Sequence, residues 1–262
     1  MIKISKEQKS ILNFFLKHGF YKFKLNRSDF DGISLILTKA IKKKTKQKNL
    51  NLKKFHYKTS DININKMRLE LFNYINKKKD FIDKTYNSSK KYIDILVGSE
   101  LCRSDINLSI QLPNDEKSLL EMHTDFFSGE SKFQVNLWIP FTDVKKTQSM
   151  FIINPLTSLE ILKKIKFNKN LNFNDIQKKY KSKMKWLKLS KGEGLLFSPN
   201  CLHGNVVNKE KNTRWSINVR YKNLFSPYNK IQNEKNITSF YKPYSMKGVT
   251  QFNLKYNFDE IN

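Results

Sequence analysis

The sequence predicts a mainly β fold with a helical flank, organised as one domain of 262 residues. Up to about residue 100, apolar residues recur at the three- and four-residue spacing of helices, whereas later segments alternate polar and apolar residues as strands do. The polar positions of these later segments share one parity, so they can lie on one face of a sheet. We therefore expect a helical flank over 1–100, a β core over 101–222, and a C-terminal lid or interface segment over 223–262.

The helical flank begins with a helix over residues 5–18. Ser5 and Gln8 have the spacing of a capping box, apolar residues follow at helical spacing, and Gly19 favours termination. The remaining elements of the flank are a strand over 21–25, a helix capped by Ser28 or Asp29 that runs to about Lys44, and a helix from 65 to about 79.

The core contains eight segments with the alternation and turn-forming flanks of strands. Loops are expected at 113–115 and 128–130, and the Lys- and Asn-rich stretch 166–183 is expected to be a surface insertion between strands. The predicted strands cover 103–112, 119–126, 133–141, 149–153, 185–189, 194–197, 201–207 and 214–222.

Polar side chains follow one parity of several predicted strands. If these faces turn toward a common interior, they line a cleft, and the apolar parities pack beneath the N-terminal helices. For strand 103–112 taken alone, a solvated polar face is an equally good interpretation. The residues on the polar parity are Asn107, Ser109, Gln111, His123, Asp125, Gln134, Asn136, Trp138, His203, Asn205, Arg214, Ser216, Asn218 and Arg220.

The polar face includes a possible metal site. His123 and Asp125 are two positions apart on a predicted strand, so their side chains project to the same side, and a second strand can supply His203. Two imidazoles and one carboxylate can occupy one face of an octahedron, which suits non-haem Fe(II) that also binds an organic chelator and O2. The other two histidines, His18 and His56, have no carboxylate in register and are interpreted as structural.

The chain is strongly basic, with 50 Lys and Arg against 23 Asp and Glu and a formal charge of +27. Such a charge can indicate a nucleic-acid or membrane partner. Here lysine, asparagine and isoleucine abound together, as an AT-rich genome produces, so we interpret the lysine runs as solvated helix ends. The few arginines are therefore more informative, because a guanidinium binds a carboxylate in a way that lysine cannot imitate.

Other features of the sequence favour a cytoplasmic protein. Cys102 and Cys201 are too few for a disulfide framework or a zinc site. The first ten residues lack an apolar signal region, and no stretch is long and apolar enough to be a membrane span.

Several motifs resemble those of the Fe(II)/2-oxoglutarate-dependent oxygenases, in particular the phytanoyl-CoA dioxygenase-like group and a bacterial branch associated with carbohydrate-biosynthesis clusters. In that group an arginine follows the distal histidine by eleven positions, which is the spacing of His203 and Arg214. The resemblance covers most of the chain. The other matching segments are Phe15 to Phe20, Ser109 to Pro113, Leu137 to Pro140, Lys146 to Met150 and Arg214 to Arg220.

The resemblance implies a double-stranded β-helix, or cupin-like jelly roll, buttressed by the N-terminal α-helices. It implies that the His123, Asp125 and His203 side chains bind Fe(II), that 2-oxoglutarate and O2 occupy the remaining positions, and that Arg214 binds the far carboxylate of 2-oxoglutarate. Further residues are expected to line the site: Gln111, Trp138 and Asn205 beside 2-oxoglutarate, and Arg220 and Arg103 beside the substrate.

The implied activity is hydroxylation, or a related C–H oxidation, of a small polar substrate such as a carbohydrate or nucleotide-sugar intermediate. An AlkB-like nucleic-acid dealkylase is one alternative, because Arg214 and Arg220 have the six-residue separation of the paired arginines in that group. Against it, Ser216 stands where the motif has Asn, and the gap from His203 to Arg214 is too short. A non-catalytic carbohydrate-binding jelly roll is the other alternative. The sequence does not predict an oligomeric state.

Overall fold

The computed structural model describes residues 5–59, 62–167, 173–229, 235–237 and 239–256. The helical flank is more extensive than the sequence indicates, because two short helices follow the three predicted ones. Its elements are α1 (Lys6–His18), β1 (Phe20–Lys24), α2 (Arg27–Thr45), a 3-10 helix (Leu52–Lys58), α3 (Ile64–Asn76), α4 (Lys79–Asn87) and α5 (Lys90–Leu96).

Local side-chain chemistry sets the ends of these helices. At the start of α1, Ser5 and Gln8 form the predicted capping box, and Gly19 ends the helix at a φ of 76°. The predicted cap of α2 is wrong. Asn26 precedes the helix and accepts a hydrogen bond from the backbone N–H of Asp29, which therefore lies in the first turn.

A large antiparallel sheet forms one wall of the core. Its strands are β1, β2 (Leu101–Arg103), β3 (Asn107–Gln111), β4 (Gln134–Pro140), β7 (Glu193–Phe197), β9 (Arg214–Asn223) and β10 (Lys242–Ser245). The order is β1-β7-β4-β9-β2-β10, and β3 pairs with the first half of β9. The long strand β9 therefore lies at the centre, between β4 on one side and both β2 and β3 on the other.

A smaller sheet consists of β5 (Phe151–Ile152), β6 (Lys185–Trp186) and β8 (His203–Gly204), in the order β6-β5-β8. In the region predicted as a surface insertion, the described residues form the end of α6 (Pro155–Phe167) and α7 (Phe173–Lys179). Ile176 of α7 is buried with Ile161 and Phe151, so this region packs onto the small sheet and is not merely a surface loop. The last helix is α8 (Gly248–Lys255).

Two strand predictions are wrong in detail. Segment 103–112 is divided into β2 and β3 because the Ser104 side chain accepts a hydrogen bond from the Arg220 backbone N–H in place of a regular strand partner. Segment 119–126 is not a strand. His123 makes a single bridge with His203, and Asp125 begins a 3-10 turn (Asp125–Ser128) whose first backbone groups are capped by the Thr124 hydroxyl.

The large sheet separates an apolar core from a polar interior. Its apolar parity packs against the N-terminal helices, as the alternation predicts, and Trp215 of β9 meets Phe55 edge-on at 5.0 Å between ring centroids. Its opposite face, together with the small sheet, encloses polar side chains. This arrangement confirms the predicted fold class, a β core with a helical flank. No helix in the described ranges is long and apolar enough to cross a membrane.

Candidate metal centre

The bridge between His123 and His203 places the two imidazoles side by side. Each residue's backbone N–H donates to the other's carbonyl, at 2.9 and 3.0 Å between nitrogen and oxygen. Paired residues on adjacent antiparallel segments project to the same face, and the two rings lie 4.4 Å apart between centroids. His203 is also packed edge-on against Phe197 of β7.

Backbone carbonyls fix the orientation of both rings. The Nδ1 of His123 lies 2.7 Å from the Glu121 carbonyl oxygen, and the Nδ1 of His203 lies 2.9 Å from the Cys201 carbonyl oxygen. A carbonyl only accepts, so each Nδ1 carries a hydrogen, and each Nε2, once deprotonated, presents its lone pair to the centre. This is the usual support for a metal-bound histidine.

Asp125 completes the cluster from the 3-10 turn. Its Oδ1 lies 3.4 Å from Nε2 of His123 and 3.8 Å from Nε2 of His203. One ligand atom from each of the three residues lies within 4.8 Å of the others, and the carboxylate is 4% exposed. The geometry therefore supplies two imidazole nitrogens and one carboxylate oxygen converging on one point, which can hold a divalent transition metal.

The two histidines differ in their readiness to bind a metal. Complete burial lowers the pKa of His203 to about 4, although the charge of Asp125 opposes that shift. Burial also lowers the pKa of His123, but its hydrogen bonds to Asp125 and the Glu121 carbonyl outweigh burial and raise the pKa above the usual value. Burial raises the pKa of Asp125, yet the charges of His203 and Arg220 and the hydrogen bond from His123 depress it well below its usual range.

Arg214 lies in the same cavity without a carboxylate partner among the described residues. Its guanidinium donates to the Gln148 carbonyl at 3.3 Å and the Ser109 hydroxyl at 3.4 Å, and it stacks over Trp138 at 5.9 Å. Complete burial lowers its pKa to about 10, so it still carries a positive charge at neutral pH. A buried cation without an acidic partner is costly, and an anionic ligand would offset that cost.

Ser216 is a site residue that the sequence analysis placed on the polar face without assigning a role. It lies two positions after Arg214 on β9, so both side chains project to the same face. Within the part of the chain that the structure describes, neither the Ser216 hydroxyl nor Nε of Arg214 has a hydrogen-bond partner, although both atoms are buried. Together they offer donors for a carboxylate. No sequence pattern indicates this role, because an unpaired buried donor is visible only in three dimensions.

The cavity that contains these residues has a volume of about 1070 Å³ and is lined by both sheets, the loop 115–123 and the start of α3. Arg68, at the start of α3, is a lining residue that the sequence analysis did not select. It is half-buried, and Asn65 accepts two hydrogen bonds from its guanidinium. Further polar residues of the lining are Asn107, Ser109, Lys117, Ser118 and Asn218.

The other predicted site residues are divided between the cavity and its surroundings. Trp138 and Asn205 line the cavity, and the Asn205 side chain binds the backbone of the loop through Leu120. Gln111 lies behind the lining, where its amide donates to the Val206 carbonyl. Arg103, which was expected beside the substrate, lies away from the cavity. Its guanidinium bonds the Ser104 carbonyl and packs over Tyr244, outside the cavity lining.

Arg220 lines the cavity, but its guanidinium is already engaged. Nε donates to Glu130 at 3.0 Å, and a terminal nitrogen lies 3.8 Å from Oδ1 of Asp125. Asn136 of β4 donates a hydrogen bond to the other oxygen of Asp125. The metal-ligating carboxylate is therefore contacted by a cation on one side and an amide on the other.

No protein-family model and no curated protein sequence matches this chain. Solved structures do match. EctD from S. alaskensis has a TM-score of 0.57 and 11% identity, with 87% of this chain and 80% of that one covered. SnoK, a non-haem alpha-ketoglutarate-dependent carbocyclase from nogalamycin biosynthesis, has a TM-score of 0.52 and 12% identity, with 94% and 95% covered. HygX from Streptomyces hygroscopicus, with nickel and 2-oxoglutarate bound, has a TM-score of 0.51 and 11% identity, with 86% and 90% covered.

At these low identities the comparisons establish the fold. The chain has the fold of structures that include non-haem, 2-oxoglutarate-dependent enzymes, and the His123, Asp125 and His203 cluster is present within that fold. As far as the fold is concerned, the predicted resemblance and the predicted jelly-roll class are confirmed.

Proposed function

We propose that the chain is a non-haem Fe(II) oxygenase that couples the decarboxylation of 2-oxoglutarate to oxidation of a C–H bond in a small polar substrate. The main support for this proposal is the buried guanidinium of Arg214, which lies in the same cavity as the His–Asp–His cluster and contacts no carboxylate among the described residues. A metal site alone would fit many functions. A metal site that shares a cavity with a buried arginine, for which the described residues supply no carboxylate, fits a cosubstrate with two acidic ends.

The residues of the cavity divide the work of binding. His123, Asp125 and His203 would hold Fe(II), which supplies the oxidising chemistry once 2-oxoglutarate and O2 are bound. Arg214 and Ser216 would hold the far carboxylate of 2-oxoglutarate and so fix its length and direction. Trp138 would cover one face of that guanidinium and exclude water from the ion pair, which strengthens the pair in a low-dielectric site.

The substrate would occupy the part of the cavity between α3 and the loop 115–123. The exposed and half-buried side chains there include the polar Asn107, Ser118 and Arg68. They stand beside the apolar Ile64, Leu119 and Leu120. Such a lining offers hydrogen bonds together with apolar contacts, so it suits a hydroxyl-rich molecule with apolar ring faces, of the carbohydrate or nucleotide-sugar class. The nogalamycin-pathway enzymes among the structural neighbours support a small biosynthetic substrate.

An AlkB-like nucleic-acid dealkylase gains no support from the cavity. Arg220, the second arginine of that comparison, is bonded to Glu130 beside Asp125. A cytoplasmic enzyme of small-molecule biosynthesis therefore remains the better proposal.

The first experiment is an anaerobic titration of purified protein with Fe(II) and 2-oxoglutarate, in which the visible metal-to-ligand charge-transfer band is recorded. We expect the band in the native protein and in a His18→Ala control, which removes a histidine outside the cluster. His203→Ala should abolish it, and Arg214→Met should require far more 2-oxoglutarate. Absence of the band in the native protein at saturating ligand would contradict the proposal.

The second experiment adds O2 and candidate substrates and measures succinate. Nucleotide sugars and free sugars should raise succinate formation above the uncoupled rate if the substrate class is correct. Single-stranded oligonucleotides serve as the opposing arm. Stimulation by oligonucleotides alone would favour the dealkylase.

A further inference from the structure

The loop that supplies Asp125 also supplies a second buried acid, Glu130. The backbone N–H of Glu130 donates to the Asp125 carbonyl at 3.2 Å, and Gly129 turns the chain between them at a φ of 86°. Glu130 is 3% exposed, and its side chain points into the molecule. The 3-10 turn thus delivers a metal ligand and a carboxylate that is not a member of the His–Asp–His cluster.

Glu130 is fully engaged by hydrogen-bond donors. Its Oε2 accepts from Arg220 Nε at 3.0 Å and from the Gln134 amide at 2.6 Å, and its Oε1 lies 3.3 Å from Lys235 Nζ. Arg220 is nearly as buried, with 11% of its side chain exposed. The opposite charges of Glu130 and Arg220 are therefore paired in the wall of the cavity, where solvent screens them little.

Arg220 also faces Asp125, and this contact has a cost for metal binding. Its terminal nitrogen lies 3.8 Å from Oδ1, the same oxygen that faces Nε2 of both His123 and His203. A guanidinium free to approach Oδ1 would compete with a metal ion for that oxygen and would repel the ion electrostatically. The closer bond from Nε to Glu130 restrains the guanidinium, and the negative charge of Glu130 offsets its positive charge.

The second oxygen of Asp125 is held from the opposite side. Asn136 donates to Oδ2, and its own Oδ1 accepts from Gln134 at 3.0 Å. Because Gln134 also bonds Glu130, the amides and the ion pair form one continuous network around the carboxylate. This network leaves Oδ1 as the oxygen that is directed at the imidazoles.

We propose, on the basis of the function proposed above, that Glu130, Arg220 and Asn136 are positioning residues for Asp125. Glu130 holds Arg220 back and neutralises it, Asn136 occupies Oδ2, and Asp125 is thereby kept as a one-oxygen metal ligand through Oδ1. Arg220 then acts on the metal site and not as an anchor for an anionic substrate, which differs from the role its position in the sequence suggests.

The test uses Co(II) as the only ligand, so it does not depend on 2-oxoglutarate or turnover. Co(II) affinity and the visible absorption spectrum are measured for native protein, His203→Ala, Glu130→Gln, the double variant Glu130→Gln/Arg220→Gln, and Glu116→Gln. The last is a control with the same charge change on an exposed loop residue. Chemical unfolding of each metal-free protein shows whether it is folded.

We expect Glu130→Gln to weaken Co(II) binding about tenfold to a hundredfold, the range for loss of a residue that supports a metal ligand. The double variant should recover most of that affinity, because the unrestrained guanidinium has also been removed. Glu116→Gln should bind like the native protein. Recovery in the double variant would not follow from a merely structural role of Glu130.

Two results would overturn the inference: unchanged Co(II) affinity in Glu130→Gln, or a folded double variant that binds Co(II) no better than Glu130→Gln. If Glu130→Gln does not fold, the double variant is compared with native protein, and a tenfold or greater loss of Co(II) affinity in the folded double variant would overturn the inference. If native protein fails to bind Co(II), or if His203→Ala binds Co(II) as tightly as native protein, the proposed function and this inference are both overturned. If His203→Ala loses Co(II) binding and every other variant binds Co(II) like native protein, the proposed function stands and the positioning role is rejected.

Discussion

His123 and His203 face the same metal position, yet burial and hydrogen bonding place their pKa values on opposite sides of the usual value. His203 has a pKa of about 4, whereas the pKa of His123 is raised. Below about pH 6.5, the ordinary histidine pKa, His123 is therefore protonated, and His203 remains neutral until the pH approaches 4. A metal that binds in this window has to displace a proton from only one imidazole.

This difference predicts the pH dependence of metal binding. Between about pH 4 and pH 6.5, Co(II) affinity should fall about tenfold for each unit of decreasing pH, with one proton released per ion. Calorimetric titrations in buffers of different ionisation enthalpy count the released protons directly. A hundredfold fall per unit, with two protons released, would show that both imidazoles are protonated and would contradict the assigned pKa difference.

Arg214 predicts an opposition between stability and function. Burial lowers its pKa from 12.5 to about 10, which corresponds to about 3 kcal/mol of unfavourable burial of its charge. Arg214→Met should therefore make the ligand-free protein more stable in urea, by up to about 3 kcal/mol, while 2-oxoglutarate no longer raises the unfolding midpoint. The control is Arg68→Met, in which the same change is made on a half-buried arginine of the cavity. Retention of the 2-oxoglutarate effect in Arg214→Met would refute the assignment.

At the scale of elements, β8 and the loop before His123 depend on a close approach at Gly204. A Cβ on Gly204 would lie 2.9 Å from the Leu120 carbonyl oxygen and 3.0 Å from that of Glu121. Both contacts are with backbone, so the loop has to move if a side chain is added. The Glu121 carbonyl is also the acceptor that orients His123.

Gly204→Ala should therefore weaken Co(II) binding by about tenfold or more through displacement of the Glu121 carbonyl, with only a modest loss of stability. Gly248→Ala is the control, because a Cβ there meets nothing within 4 Å. Affinity is measured by absorption titration and stability by thermal unfolding. Unchanged affinity in Gly204→Ala would mean that the loop tolerates the shift without moving His123.

The sequence predicted most elements because their patterns are local. The capping box of α1 and the alternation of β4 and β9 are complete within short segments, and all three elements form as predicted. The segment around His123 has the same alternation but is not a strand, because Thr124 caps a 3-10 turn and the Asn205 side chain binds the Leu120 backbone. The contact between Asn205 and Leu120 joins residues far apart in sequence. His123 and Asp125 were correctly paired, although a bridge and a turn bring them together.

The same distinction explains which site residues the sequence missed. The parity of β9 placed Arg214 and Arg220 on the polar face, but parity does not show which arginine has an acidic partner. Glu130 was assigned to a loop, and its burial against Arg220 became visible only in three dimensions. Arg68 lies on a helix, outside the strand pattern on which the prediction of the cleft depended.

At the scale of the whole molecule, the charge of +27 and the site are largely separate. Most of the charge is on lysine side chains that lie in exposed ion pairs or in solvent. The cavity lining, in contrast, contains both acidic and basic side chains. We expect weak binding to polyanions that falls steeply with salt. Succinate formation in the presence of substrate should change little over the same salt range, as measured with and without heparin. Inhibition by heparin that disappears with Arg68→Met would instead connect the basic surface to the cavity.

The C-terminal segment is integrated with the core and with the metal site. β10 pairs with β2 at the edge of the large sheet, and Tyr241, which precedes β10, is fully buried. Its hydroxyl donates to the Gln134 side chain and accepts from the Ser131 N–H at 3.0 Å. Through Gln134, the C-terminal segment reaches the amide and ion-pair network around Asp125.

Tyr241→Phe should consequently reduce both stability and metal affinity. The change leaves the Ser131 N–H and the Gln134 oxygen buried without their partner, which should lower the free energy of unfolding by about 1–3 kcal/mol. Co(II) affinity should fall by less than in Glu130→Gln, because Asn136 and Glu130 still contact their own partners. Tyr256→Phe, at an exposed ring of the same segment, is the control. A loss of stability in Tyr241→Phe with unchanged Co(II) affinity would show that the segment stabilises only the sheet. If Tyr241→Phe lowered Co(II) affinity as much as Glu130→Gln does, the contact of Tyr241 with Gln134 would be as important for Asp125 as Glu130 itself.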